Sequence, residues 1–128
     1  MTKFIIRERK YLDLLFDLDD AKLLTQKLIE LLERHWIERS IDIYELDEKS
    51  TNKCTLRLTL GDDDRIEIKS DSISLIFDAE TCDYAVAKLT TFVGSGSMFP
   101  AEFQSFEGVG NEGDVMVYFF AADAYVTG

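Results

Sequence analysis

Between Cys54 and Phe77 the chain alternates apolar and polar residues in three short runs separated by turn chemistry, and this pattern restricts the fold more than any other. Cys54, Leu56, Leu58 and Leu60 alternate with Thr55, Arg57 and Thr59. Gly61-Asp62-Asp63-Asp64 then supplies a residue that tolerates positive φ and carboxylates that bond their own backbone. Ile66 and Ile68 alternate with Arg65, Glu67 and Lys69, Ser70-Asp71-Ser72 turns again, and Ile73, Leu75 and Phe77 follow. A period of two with short connections predicts an antiparallel meander with one packed face. IDIYEL at 41–46 reads as a further strand. VMVYFFAADAYV at 115–126 is apolar on both sides through Phe120, which suits a central strand.

Two stretches carry helical spacing instead. Asp19 and Asp20 offer N-cap oxygens to a helix over about 20–39. Its apolar stripe is Ala21, Leu24, Leu28, Leu31 and Leu32, with Arg34 and Arg39 near the far end. Asp78 caps a second helix over 79–93 with the stripe Cys82, Ala85, Val86, Leu89 and Val93, closed by Gly94. Upstream, YLDLLFDL at 11–18 puts Leu12, Leu14, Phe16 and Leu18 on one side of a strand with Asp13 and Asp17 on the other. A helix would also gather Phe4, Tyr11, Leu14, Leu15 and Leu18 on one face, so residues 3–18 admit both readings, of which the strand is preferred. Pro100 at a first-turn position, with Phe99, Phe103 and Phe106 at i, i+4 and i+7, predicts one short helix. No repeat at a solenoid period is visible. The expectation is one α+β domain over 1–128: a mainly antiparallel sheet of about five to six strands with two main helices packed on it.

Charge is unevenly spread. Of a formal net charge of −11, most lies beyond Ser70, where Lys88 is the one base against nine acids. Such a field favours cationic partners and repels nucleic acid and anionic membrane. No apolar run approaches the roughly 20 residues that span a bilayer. The opening MTKFIIRERKYLDLL lacks the apolar core and cleavage site of a signal peptide, so a cytoplasmic chain is expected. Cys54 and Cys82, 28 positions apart, read as reduced core residues.

The residues that carry chemistry do not assemble into a catalytic signature. His35, the only histidine, falls between Leu28 and Leu31 on the helical wheel and reads as a partly buried residue near a helix end, bonded to a backbone carbonyl. Three Cys and His residues on separate elements fall short of a zinc site, and the Gly61–Arg65 turn lacks the twelve-residue calcium loop. Gly94-Ser95-Gly96-Ser97 follows a helix and lacks the Gly-Lys-Ser/Thr of a phosphate loop. Neither a cofactor nor a metal is expected.

Phe99, Phe103 and Phe106 lie between glycines, flanked by Glu102, Glu107 and Glu112, with Asp114 just beyond. The three rings either close one end of the core or form an apolar anchor inside an acidic rim, the layout of an interface hot spot. These seven residues are the candidate partner-binding set. The expected function is non-enzymatic: an acidic protein of the immunity or antitoxin type that covers a basic, nuclease-like toxin. The alternatives are a small acidic secretion chaperone holding an effector segment and, with least support, an enzyme using carboxylate pairs such as Asp42 with Glu45 or Asp62 with Asp64.

Overall fold

The computed structural model describes residues 1–46, 52–110 and 113–125. Eight strands form a closed barrel: β1 (Thr2–Arg7), β2 (Tyr11–Phe16), β3 (Arg39–Glu45), β4 (Lys53–Leu60), β5 (Arg65–Ile68), β6 (Ser72–Phe77), β7 (Glu102–Gly108) and β8 (Val115–Ala121). Helix α1 (Leu18–Glu33) lies between β2 and β3, and α2 (Ala79–Ser95) lies between β6 and β7. The architecture is mixed α+β with two helices packed on the sheet. The expectation of five to six mainly antiparallel strands is corrected to eight strands in a mixed sheet. Its four antiparallel pairings are the hairpins β1–β2, β3–β4, β5–β6 and β7–β8. Its four parallel pairings are β1–β3, β2–β8, β4–β6 and β5–β7. Gly61–Asp64 is therefore not a hairpin tip, because β4 pairs with β6 and not with β5.

The chain is built twice. In ring order β1-β2-β8-β7-β5-β6-β4-β3, a half-turn that carries β1 to β5, β2 to β6, β3 to β7 and β4 to β8 reproduces every pairing. Each half is a ββαββ unit, and corresponding residues lie about 61 positions apart, as between the helix caps Asp17 and Asp78. Leu14 and Leu75, Phe16 and Phe77, and Leu28 and Leu89 are identical buried pairs at that spacing. Ala21 and Cys82, Leu24 and Ala85, and Leu31 and Phe92 are buried equivalents of different size. The inward residues Cys54, Leu56 and Leu58 of β4 match Val115, Val117 and Phe119 of β8 in the same way.

Strand directions follow from the pairings. β2 and β6 run the same way, so both helices start at one end of the barrel and the β1–β2 and β5–β6 turns lie at the other. A 16-residue helix is about 24 Å long, while the five residues 34–38 reach at most about 18 Å, so α1 crosses the helix end and does not run up the wall. α1 and α2 pack on each other there, with the buried Cys82 thiol 3.6 Å from the Leu28 carbonyl oxygen. Both cysteines are free and buried, and burial pushes the Cys82 thiol up to about 12.

The element boundaries move for identifiable reasons. α1 is capped by Asp17, whose carboxylate accepts from the Asp20 N–H at 2.7 Å while Asp20 accepts from the Asp17 N–H in return. It ends at Glu33, not near 39, because Arg39 opens β3 and reaches back to Glu30. His35 therefore leaves the apolar stripe: it is exposed, and its Nε2 donates to the Leu32 carbonyl at 2.9 Å. α2 runs to Ser95, and Gly96, with φ of 77°, is the left-handed cap in place of Gly94. The short helix expected after Pro100 is strand β7. A bulge between Glu102 and Gln104 shifts its register, so Phe103 and Phe106, of opposite parity in a regular strand, both point inward.

Asp13 departs furthest from its pattern. It is 0% exposed, and Arg7 grips it through Nε at 2.6 Å and Nη2 at 2.9 Å. The Tyr125 hydroxyl donates to it at 2.7 Å, and Arg7 lies over the rings of Tyr11 and Tyr118. Burial, followed by the bond to Asp13, pushes the Tyr125 hydroxyl up from 10.0 to about 12. The folded protein thus holds Tyr125 protonated more strongly than the unfolded chain does. That contribution is present below pH 10 and is lost as pH climbs toward 12. Melting temperature should fall more steeply across this window in the wild type than in Tyr125→Phe. Parallel curves for the two proteins would show that the Tyr125–Asp13 bond contributes nothing.

Candidate interaction surface

The seven candidate residues do not form one patch. Phe103 and Phe106 are 5% and 0% exposed and belong to the core, so they are not surface anchors. Phe103 stacks on Phe119 with ring centroids 4.4 Å apart, and Phe106 meets Phe77 edge-on at 5.6 Å. Phe99 alone is free, 90% exposed on the connector between α2 and β7. Glu102 and Glu107 are exposed at opposite ends of β7, about 17 Å apart at strand rise, and Glu107 sits opposite Arg65. Asp114 is exposed at the turn end, and Glu112 lies outside the described residues.

The fold gathers a different set at the helix end, where α1 starts and α2 stops. Asp17, Leu18 and Asp19 at the start of α1 face Phe92 and Gly96 at the end of α2. With Phe16, Ala122 and Asp123 they line an open cleft of about 540 Å³. Gly96 also borders an adjoining groove of about 360 Å³ lined by Met98, Phe99, Ala101, Phe119, Phe120 and Ala124. One depression is thus edged by Asp17, Asp19 and Asp123, and the other is largely apolar with Phe99 beside it. The Asp20 N–H holds the Asp17 carboxyl below its usual value, so the cleft keeps that negative charge. The C-terminal end of α2 adds the negative pole of its dipole at Gly96.

The Met1 amino group pairs with Asp17 at 3.7 Å and with Asp20 at 3.4 Å, whereas Lys88 reaches none of these acids. Its ammonium group donates to the Pro100 carbonyl beneath the Phe99–Pro100 connector, and burial lowers its pKa. The side chain is consumed inside the fold, as is Asp64, which accepts from the Asp78 N–H, the Thr81 hydroxyl and the Gln104 amide. Asp42 is paired with Lys53 at 3.4 Å. Among the described residues no group of three His, Cys, Asp or Glu is placed to hold a metal ion. Also among them, no helix is long and apolar enough to cross a membrane.

Asp17, Asp19 and Asp123 are absent from the set drawn from the sequence, because they meet only after the ends of β2, α2 and β8 are brought together. Trp36, 82% exposed after α1, was also passed over. Its signal is the repeated ββαββ unit, which makes the connector between α1 and β3 the counterpart of the one between α2 and β7 that carries Phe99. Comparisons with family models, curated proteins and solved structures returned no match.

Proposed function

We propose that this protein is a non-enzymatic binding protein of the immunity or antitoxin type, which covers the basic surface of a toxin with its acidic helix end. The observation that carries the reading is the fate of Lys88. The one base between Ser70 and the C-terminus is spent on a backbone carbonyl, so the exposed charge of the described part of that half is all acidic. An acid-edged cleft adjoining an apolar groove with an exposed ring suits a partner that presents Lys and Arg beside an apolar element. Carboxylates that catalysis would need are otherwise engaged: Asp64 by three donors and Asp42 by Lys53. A secretion chaperone that captures an effector strand needs a free sheet edge, and this barrel is closed.

Rim charges set association rates, and their reach falls from about 10 Å at 0.1 M salt to about 3 Å at 1 M. Asp19, Glu102 and Asp123 are exposed and cap no helix, so reversing all three to Lys should leave the melting temperature within a few degrees. Association with the protein captured from the source cells should slow by roughly 10-fold or more. Affinity indifferent to both salt and the triple reversal would eliminate the acidic-face reading.

A further inference from the structure

The two depressions at the helix end have one segment in common. Ala122 and Asp123 line the acid-edged cleft and Ala124 lines the apolar groove, so residues 122–125, after β8, form a wall of both. The other walls are regular elements or tied loops. Asp17 and Asp20 cap the start of α1 reciprocally, the Gly96 N–H donates to the Phe92 carbonyl, the Phe119 N–H donates to the Ala101 carbonyl at 2.8 Å, and Lys88 donates to Pro100. The segment 122–125 is held far less. Its one turn of 3₁₀ helix, Ala122–Ala124, has no side-chain cap and buries none of its three residues. Among the described residues, no backbone hydrogen bond joins 122–125 to another element. What holds it is Tyr125, whose hydroxyl donates to Asp13 at 2.7 Å and whose ring meets Phe120 edge-on at 4.8 Å. Asp13 pairs in register with Tyr118, three positions before the end of β8, so the hydroxyl reaches about 10 Å back along the barrel wall. Arg7 already bonds both oxygens of the fully buried Asp13. The acceptor is thus fixed, and the segment that carries the donor is not.

We infer that Tyr125 is a positioning residue of the binding surface: its bond to Asp13 latches the segment 122–125 where Asp123 edges the cleft and Ala124 borders the groove. The inference rests on the binding reading above and adds to it the element that keeps the site in shape. A segment with so few buried contacts opens at low cost. With the latch closed, an apolar side chain of the basic partner enters a groove whose walls are in place, and Asp123 is set for a flanking Lys or Arg. With the latch open, the segment has to be ordered at the moment of binding, and the apparent affinity drops with the fraction of molecules that are competent. Tyr125 itself lines neither depression, so its effect on binding passes through the segment and not through contact with the partner.

The test compares the full chain with Tyr125→Phe, which keeps the ring and deletes the hydroxyl, and with Tyr125→Ala, which deletes both holds. NMR relaxation of the backbone amides reads the latch directly. Ala122–Ala124 should be as ordered as β8 in the wild type, with an order parameter of about 0.85, and should fall below about 0.6 in Tyr125→Ala, with Tyr125→Phe between the two. The binding probe is the synthetic peptide Lys-Lys-Leu-Leu-Lys-Lys, titrated at low salt and followed by the amide signals of residues 96–101 and 119–124. Its affinity should drop about twofold or more in Tyr125→Phe and roughly 5-fold or more in Tyr125→Ala, with melting temperatures within a few degrees of the wild type at neutral pH. If Tyr125→Ala melts early, the Tyr125→Phe comparison decides. Order unchanged in the variants, or order lost while the peptide binds as tightly as before, overturns the latch and leaves the acidic binding surface standing. If the peptide does not bind the wild type at those residues, the binding reading falls and the latch inference falls with it.

Discussion

Phe106→Ala is expected to cost about 3–5 kcal/mol of stability, a drop in melting temperature of roughly 10–15 °C, while Phe99→Ala stays within about 0.5 kcal/mol of the wild type. Both residues belong to one aromatic run with helical spacing, yet their environments are opposite. Phe106 is fully buried, 5.6 Å from Phe77 and 6.1 Å from Phe103 by ring centroid, so its removal leaves a cavity in a packed wall. Phe99 gives up almost no buried area. The pair of variants therefore separates core from interface: Phe106→Ala should weaken binding only in proportion to unfolding, and Phe99→Ala should weaken binding in a protein that melts normally. Equal destabilisation by the two variants would show that β7 is not placed as described.

Arg7→Met should be nearly as damaging, at about 3 kcal/mol, because it leaves the fully buried Asp13 carboxylate with only the Tyr125 hydroxyl. The double variant Arg7→Met, Asp13→Leu removes charge and counter-charge together and should recover to within about 1 kcal/mol of the wild type. Chemical denaturation of the two variants measures both numbers. A double variant as unstable as Arg7→Met alone would mean that the pair contributes more than mutual neutralisation, through packing between Tyr11 and Tyr118.

Much of the local structure was legible because it rests on short-range patterns. The alternations through Cys54–Leu60 and Ile73–Phe77 became β4 and β6, and the stripe Ala21, Leu24, Leu28, Leu31 became the buried face of α1. The β1–β2 hairpin was hidden because its turn uses Glu8 and Arg9 at φ of 53° and 58°, where Asn-Gly would have announced it. Asp13 read as a solvent-facing residue because periodicity alone does not reveal that Arg7 and Tyr125 cover the outer face of β2. Parallel pairing was equally invisible: β4 and β6 join across the intervening β5, and no local signal encodes that choice. The duplication escaped because few paired positions keep the same residue, although Leu12-Asp13-Leu14-Leu15-Phe16-Asp17 and Ile73-Ser74-Leu75-Ile76-Phe77-Asp78 show it once aligned. The candidate site failed for a related reason. Sequence proximity grouped Glu102, Glu107 and Asp114, whereas the barrel spreads them from end to end and assembles Asp17, Asp19 and Asp123 instead.

The most direct measurement is an amide hydrogen-exchange footprint of the protein with its captured partner bound. Protection should appear at the helix end, over residues 17–20, 34–38, 96–102 and 122–125, and should be weak at the hairpin turns around Glu8–Lys10 and Lys69–Asp71. Protection concentrated at those turns, with the segments around Trp36 and Phe99 exchanging as in the free protein, would contradict the account.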